Sequence, residues 1–215
     1  MKGVLITLEG IDGVGKSTQH RLLEQRLRET GLTCIVTREP GGTAIGEEVR
    51  QLLLKMREEE MALETEILLY AAARAQLYKE LLRPALEAGK IVLCDRFIDS
   101  SLAYQGYGCG GDLNYIKKVN AGATEKLSPD LTLLFDLAPQ EARQRRGNID
   151  QKSEVSDRIE NRPEDFHYRV REGYLKLAAA NPVRIKLLDA SLPAVLLLEK
   201  SWVFVKELLE KKELL

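Results

Sequence analysis

Cysteine is scarce in this chain. Cys34, Cys94 and Cys109 stand far apart and no Cys-x-x-Cys occurs, which leaves no disulfide framework. Histidine is scarcer still: His20 and His167 alone argue against a His/Cys zinc site. Charge of one sign is not in excess, with 32 basic against 33 acidic residues and a net charge of −1. That balance offers neither a nucleic-acid arm nor a polybasic membrane patch. Long hydrophobic runs are missing too. The longest, such as 194–198, fall far below the ~20 residues that a membrane-spanning helix needs. The start, Met1-Lys2 and an apolar run, superficially resembles a signal peptide, but Glu9 interrupts it and no small-residue cleavage site follows. Repeats, low-complexity tracts and interdomain linkers are likewise absent from the sequence. What remains is 215 residues, 44% of them apolar, enough for one substantial core. The expectation is a single domain over residues 1–215, reduced and cytoplasmic.

Against that plain background one segment stands out. Gly10-Ile11-Asp12-Gly13-Val14-Gly15-Lys16-Ser17 spells Gly-x4-Gly-Lys-Ser, followed by Thr18. The apolar run Val4–Leu8 ahead of it reads as a buried strand, and Ser17–Thr30 behind it as a helix. In that setting the glycines let backbone N–H groups wrap around phosphate oxygens. Lys16 reaches the terminal phosphates, and the Ser17 hydroxyl is a ligand for Mg²⁺. The helix that follows turns its positive end toward the same anion. The segment predicts binding of a nucleoside triphosphate.

Five short apolar runs punctuate the chain: Val4–Leu8, Thr33–Thr37, Ile91–Cys94, Leu131–Phe135 and Val183–Leu188. They lack alternation and each leads into a helical pattern, as expected of a parallel sheet covered on both faces. Gly31 closes the first helix. Glu64–Arg83 reads as a long amphipathic helix that must bend or stop at Pro84, and Gly89 ends its tail. Another helix runs through Tyr174 to Ala180 before Pro182, and a last one spans Pro193–Lys211. The polar stretch Gly147–Ser156 reads as a mobile flap beside an arginine cluster.

The third run ends in Cys94-Asp95-Arg96. An Asp at the carboxyl end of a buried strand beside a phosphate loop is placed to hold Mg²⁺ or its water shell. Two further segments supply what an acceptor needs. Thr37-Arg38-Glu39-Pro40-Gly41-Gly42-Thr43 is a tight loop after the second run, with Arg50 on the next helix. Asp99-Ser100-Ser101-Leu102-Ala103-Tyr104-Gln105 offers hydroxyl, amide and aromatic groups able to read a base edge and a sugar together.

Taken in order, Glu-Gly-x-Asp-Gly-x-Gly-Lys-Ser, Thr-Arg-Glu-Pro-Gly-Gly-Thr and Asp-Arg-Phe-Ile-Asp-Ser-Ser-Leu-Ala-Tyr-Gln-Gly-Tyr-Gly resemble the bacterial thymidylate kinases. The match continues through Pro129-Asp130-Leu131 and Asp157-Arg158-Ile159-Glu160 to Asp189-Ala190-Ser191. The resemblance implies a P-loop kinase fold, a five-stranded parallel sheet in the order 2-3-1-4-5 with helices on both faces and a short lid near residues 143–158. It implies Mg²⁺-dependent transfer of the ATP γ-phosphate to dTMP, giving dTDP and ADP, by a cytoplasmic homodimer. Residues 10–18 would hold ATP, with Arg145 near the adenine. Ser17 and Asp95 would hold the metal. Arg96, with Arg38 or Arg50, would grip the dTMP phosphate, beside Glu39 and Ser100. Asp12 would lie near the 3′-hydroxyl. Tyr70 would stack on thymine, Arg74 would bond its exocyclic oxygen, and Ser101 and Gln105 would reach the opposite edge. Tyr104 would crowd the place of a ribose 2′-hydroxyl.

Some relatives carry an arginine in the phosphate loop as the catalytic cation, where this chain has Gly13. The missing charge must come from the flap, which is bordered by Arg143, Arg145, Arg146, Lys152 and Arg158. Arg146 and Arg158 are the candidates for the transferring phosphoryl, beside Lys16. Two other readings stay open on the residues alone: a small kinase acting on a nucleoside or a different monophosphate, and a nucleotide-driven switch ATPase. No Asn-Lys-x-Asp guanine-reading motif is present for a GTPase switch.

Overall fold

A computed structural model describes residues 3–149 and 157–215. The side chains of residues 146–149, Arg146 among them, and the whole of Lys152 lie outside the described set.

Strands β1 (Val4–Glu9), β2 (Cys34–Arg38), β3 (Ile91–Asp95), β4 (Leu131–Asp136) and β5 (Ile185–Asp189) form one sheet in the order β2-β3-β1-β4-β5, with every pair parallel. The central strand β1 is buried along its whole length. Its alternate residues feed two cores. Val4, Ile6 and Leu8 join the larger one with Leu23, Leu27, Ile91 and Leu93, while Leu5 joins Val92, Cys94, Leu77 and Leu82 on the other face. A strand that must be apolar on both faces has no room for alternation, which is why the run is continuous.

The helices are α1 (Lys16–Glu29), α2 (Ala44–Leu54), α3 (Leu63–Leu77), α4 (Arg83–Glu87), α5 (Ile98–Ser101), α6 (Leu113–Ala123), α7 (Pro139–Ile149), α8 (Glu164–Ala180) and α9 (Ala194–Lys211). Pro84 does not stop the long helix. The turn Tyr78–Leu82 is π-helical, with the Arg83 N–H donating to the Tyr78 carbonyl five residues back. The wider turn relieves the clash of the proline ring with the preceding turn, so α3 continues into α4.

Each strand runs one residue further at its carboxyl end than the apolar run that announced it, and two of them also begin later. The second strand is shifted one residue toward its carboxyl end, taking in Arg38, and pairs Arg38 with Asp95. The fifth begins at Ile185, because Val183 lies in a turn closed by the Arg184 N–H on the Asn181 carbonyl and is 87% exposed. Helix α7 runs past Gly147 to Ile149, so the first three residues of the expected flap are helical. The rest of that flap lies outside the described residues.

A second π-helical turn, Leu102–Gly108, follows α5. Helix α8 lies directly on it, and glycines make this possible. A Cβ on Gly108 would stand 2.7 Å from Phe166 and Val170, and one on Gly173 would stand 2.6 Å from Tyr107. That close approach delivers Tyr174 to the mouth of the sheet.

Candidate active site

The carboxyl ends of β1, β2 and β3 open onto two adjoining crevices. One is lined by the phosphate loop residues Asp12, Gly13, Gly15, Lys16, Ser17 and Thr18 with Arg38, Glu39, Arg50, Asp95 and Arg96. The other is lined by Asp12, Glu39, Pro40, Arg50, Tyr70, Arg74, Arg96, Ser100, Ser101, Tyr104 and Gln105, with Leu54, Asp157 and Ile159. Asp12, Glu39, Arg50 and Arg96 line both. The structure therefore brings the donor and acceptor residues expected from the sequence to two sides of one boundary.

The phosphate-loop crevice is made by backbone. Gly10, Gly13 and Gly15 have φ of 137°, 88° and 96°, a region closed to most side chains. Gly13 is also crowded: a Cβ there would meet the Ala142 carbonyl at 2.2 Å. This is a physical reason for glycine at this position. Val14 and Ile11 are buried and pack the loop onto the core. Lys16 is 6% exposed, and its Nζ donates to the carbonyls of Gly10 at 3.0 Å and Ile11 at 2.9 Å. Burial, then the charge of Arg96, lower its pKa. The ammonium is thus folded into its own loop.

Ser17 is exposed beside Asp95, whose Oδ1 is buried without a hydrogen-bond partner. That orphaned oxygen fits a cation or its water shell. Among the described residues no group of three or more His, Cys, Asp or Glu side chains forms a cage. Such a pair suits Mg²⁺, which keeps waters and takes phosphate oxygens rather than an all-protein shell.

Arg96 adopts φ 69°. Its Nη2 donates to Asp12 Oδ1 at 2.7 Å and to the Tyr104 hydroxyl at 3.1 Å, and its Nη1 to Ser100 Oγ and the Tyr174 hydroxyl, each at 3.2 Å. The acid inside the anion loop is thereby matched by a guanidinium. Behind this cluster sits Glu9, fully buried at the end of β1. It accepts from the Phe97 N–H at 2.7 Å, Ser100 Oγ at 2.6 Å and the Tyr174 hydroxyl at 2.8 Å. Burial, then the charge of Asp99, push its carboxyl up to about 7. Glu9 and Tyr174 escaped the sequence reading as site residues. The available signal was a carboxylate closing an otherwise apolar strand.

Arg74 differs from the expectation in a specific way. It is 1% exposed, and all three nitrogens are engaged by protein oxygens. Nε donates to Glu39 at 2.8 Å, Nη1 to Ser101 Oγ at 2.9 Å and Asn120 Oδ1 at 2.5 Å, and Nη2 to the Phe97 carbonyl at 3.1 Å. What it offers the pocket in this state is charge and a held Ser101, rather than a free N–H. Glu39 keeps one oxygen, Oε1, buried and unpartnered, and burial raises its pKa against the pull of Arg74. Tyr70, on the α3 turn before Arg74, lines the same pocket.

Three arginines need correction or narrowing. Arg158 does not lie against the phosphate loop. Its Nε donates to the Leu53 carbonyl at 2.9 Å, and its Nη2 sits 2.8 Å from Glu66 as an ion pair without hydrogen-bond geometry. The reason is Glu66, a carboxylate 1% exposed that demands cations. Arg38 is paired with exposed Glu47 and lines only the donor side of the boundary, whereas Arg50 lines both sides and donates to the Pro40 carbonyl at 3.0 Å. Arg145 reaches the carbonyls of Ala190 at 2.6 Å and Ser191 at 3.3 Å, in the loop after β5.

The thymidylate kinase family model matches residues 8–201 of this chain. The chain belongs to the thymidylate kinase family. Among similar proteins, a thymidylate kinase of Exiguobacterium sibiricum is 53% identical over 194 residues, covering 89% of this chain and 88% of the relative. One of Desulforudis audaxviator is 48% identical over 213 residues, covering 99% and 94%. The crystal structure of thymidylate kinase from Ehrlichia chaffeensis superposes with a TM-score of 0.76 at 32% identity, covering 94% of this chain and 98% of that one. The five-stranded parallel order and the P-loop kinase fold of the family are thus those of this chain. Among the described residues no helix is long and apolar enough to cross a membrane.

Proposed function

We propose that the chain transfers the γ-phosphoryl group of ATP to dTMP, releasing ADP and dTDP, with the donor in the phosphate-loop crevice and dTMP in the Tyr70 pocket. The observation that carries this reading is the shared boundary. Asp12, Glu39, Arg50 and Arg96 belong to both crevices, so the two phosphoryl groups meet there. The acceptor is a phosphate monoester, whose second ionisation lies near pH 6, so an oxygen is already anionic and no strong base is required. The bond from the γ-phosphorus to the β–γ bridging oxygen breaks as one forms to that acceptor oxygen. Catalysis is then positioning and charge cancellation.

Backbone N–H groups of Gly13, Gly15 and Lys16 cradle the donor. Lys16 leaves its loop carbonyls for the β- and γ-phosphates. Arg96 and Arg50 hold the acceptor phosphate, where the guanidinium fork suits paired oxygens. Ser17 and Asp95 would hold Mg²⁺, which when bound neutralises charge on the donor phosphates. Arg145 is assigned to the adenine side and Asp12 to the 3′-hydroxyl. Tyr104, tied to Arg96, is assigned to excluding a 2′-hydroxyl. The cation on the transferring group is assigned to the lid near residues 143–158, with Arg146 the candidate, since Arg158 is committed to Glu66. A cytoplasmic homodimer, joined through helices of the core, belongs to the same proposal. Leu68 on α3, 51% exposed, is one apolar side chain open to such a contact.

The test is ADP release with ATP and Mg²⁺ across nucleosides and monophosphates. A large preference for dTMP over thymidine and over the ribose analogue is expected. A nucleoside preferred over dTMP, or acceptor-independent hydrolysis alone, would sink the assignment.

A further inference from the structure

Glu66 lies on α3 behind the base end of the acceptor pocket and is 1% exposed. It lines neither crevice, and no catalytic step uses it. Its two oxygens do different work. Oε2 faces two cations, the Nη2 atoms of Arg158 at 2.8 Å and Arg162 at 3.0 Å. Oε1 accepts from Gln105 Nε2 at 2.8 Å. A carboxylate between two guanidiniums only accepts hydrogen bonds, so the Gln105 amide has one permitted orientation. Its nitrogen turns to Glu66, and its carbonyl oxygen is what it has left for the pocket it lines. Ser101 is set in the opposite sense. It accepts from Arg74 Nη1 at 2.9 Å, which frees its own O–H to donate. The Arg74 charge beside it favours an exocyclic carbonyl over an exocyclic amine. The base end therefore presents a donor at Ser101 and an acceptor at Gln105. That pair is complementary to an imide edge, a carbonyl oxygen next to a ring N–H. Cytosine has an amine and an unprotonated nitrogen at those two places.

We infer that Glu66 is a specificity-determining positioning residue: by locking the Gln105 amide it makes the pocket accept an imide base and reject an aminopyrimidine. The inference rests on the acceptor pocket proposed above.

The test is the ratio of kcat/KM for dTMP to that for dCMP in Glu66→Gln. In that variant the two guanidiniums hold the new amide oxygen, its nitrogen faces Gln105, and the Gln105 amide turns over to present N–H to the base. The ratio is expected to fall at least tenfold, through loss on dTMP and gain on dCMP together. In a Gln105→Met background, adding Glu66→Gln is expected to leave the ratio where Gln105→Met alone puts it. Damage that is merely structural lowers both substrates equally and keeps the ratio, and that result overturns the inference. If Glu66→Gln fails to fold, Gln105→Met alone decides, because an undiminished ratio there leaves Glu66 nothing to act through. A wild-type chain that shows no preference for dTMP at all sinks the pocket assignment instead, so the two failures are told apart.

Discussion

The donor and acceptor sides of this site are built on different principles. On the donor side, eight consecutive residues supply the anion cradle from backbone, glycine conformation and one lysine. On the acceptor side, Arg74 gathers Glu39, Ser101, Asn120 and Phe97 from four places along the chain, and Arg96 gathers Asp12, Ser100, Tyr104 and Tyr174. A cradle made of backbone tolerates any nucleotide that carries phosphates. A pocket made of interlocked side chains fixes each donor and acceptor before the ligand arrives, and selectivity resides there.

Three substitutions probe that contrast, beginning with the largest effect. Lys16→Ala is expected to lower turnover by three orders of magnitude or more, about 4 kcal/mol, because the transferring charge loses its main side-chain partner. Affinity for dTMP, measured by calorimetry without ATP, is expected to stay within about threefold. If turnover survives, or if dTMP binding falls with it, the two sides are not separate. Tyr70→Ala is expected to cost about 1–3 kcal/mol of dTMP affinity, the range for stacking of a base on an aromatic ring, while the KM for ATP holds. An equal loss on both substrates would place Tyr70 outside the base site.

The smallest effect concerns Glu9. Its carboxyl is raised from an ordinary 4.5 to about 7, chiefly by burial. Between those values the folded chain keeps a proton that the unfolded chain has released. Stability therefore falls as pH rises through that window, and the loss is complete above pH 7. Glu9→Gln removes the slope. Relative to the variant, wild type is expected to lose on the order of 1–2 kcal/mol between pH 5 and pH 8 in urea titrations. Parallel stability curves would show that Glu9 does not titrate there.

The same contrast explains what was legible in the sequence. The phosphate loop, its strand and its helix are contiguous, so spacing alone located them, and the apolar runs revealed five strands within a residue or two, although only β1, β3 and β4 are buried and the edge strands β2 and β5 are partly exposed. Of the two outcomes expected at Pro84, a bend or a stop, the stop does not occur because a wider turn absorbs the proline, which depends on tertiary packing rather than on local propensity. Ser101, Tyr104 and Gln105 stood out by their chemistry, Tyr70 and Arg74 came from resemblance, and all five line one pocket. Their partners came from neither. Glu9, Asn120, Glu66 and Tyr174 sit far along the chain from the residues they hold, and nothing in spacing ties Glu66 to Gln105, 39 positions on. The pairing of Arg158 with Glu66 was hidden for the same reason. A basic residue near a flap reads as a phosphate ligand until the buried acid that claims it is known.

Gly13 has a consequence for how this enzyme can change. Its missing side chain is the space in which the first turns of α7 rest their Ala142 carbonyl. A charged side chain cannot be placed at this point of the loop by one substitution, since its Cβ would already meet main chain. Helix and loop must shift together to admit one. The glycine of this loop is therefore held in place by a point of contact between two backbones.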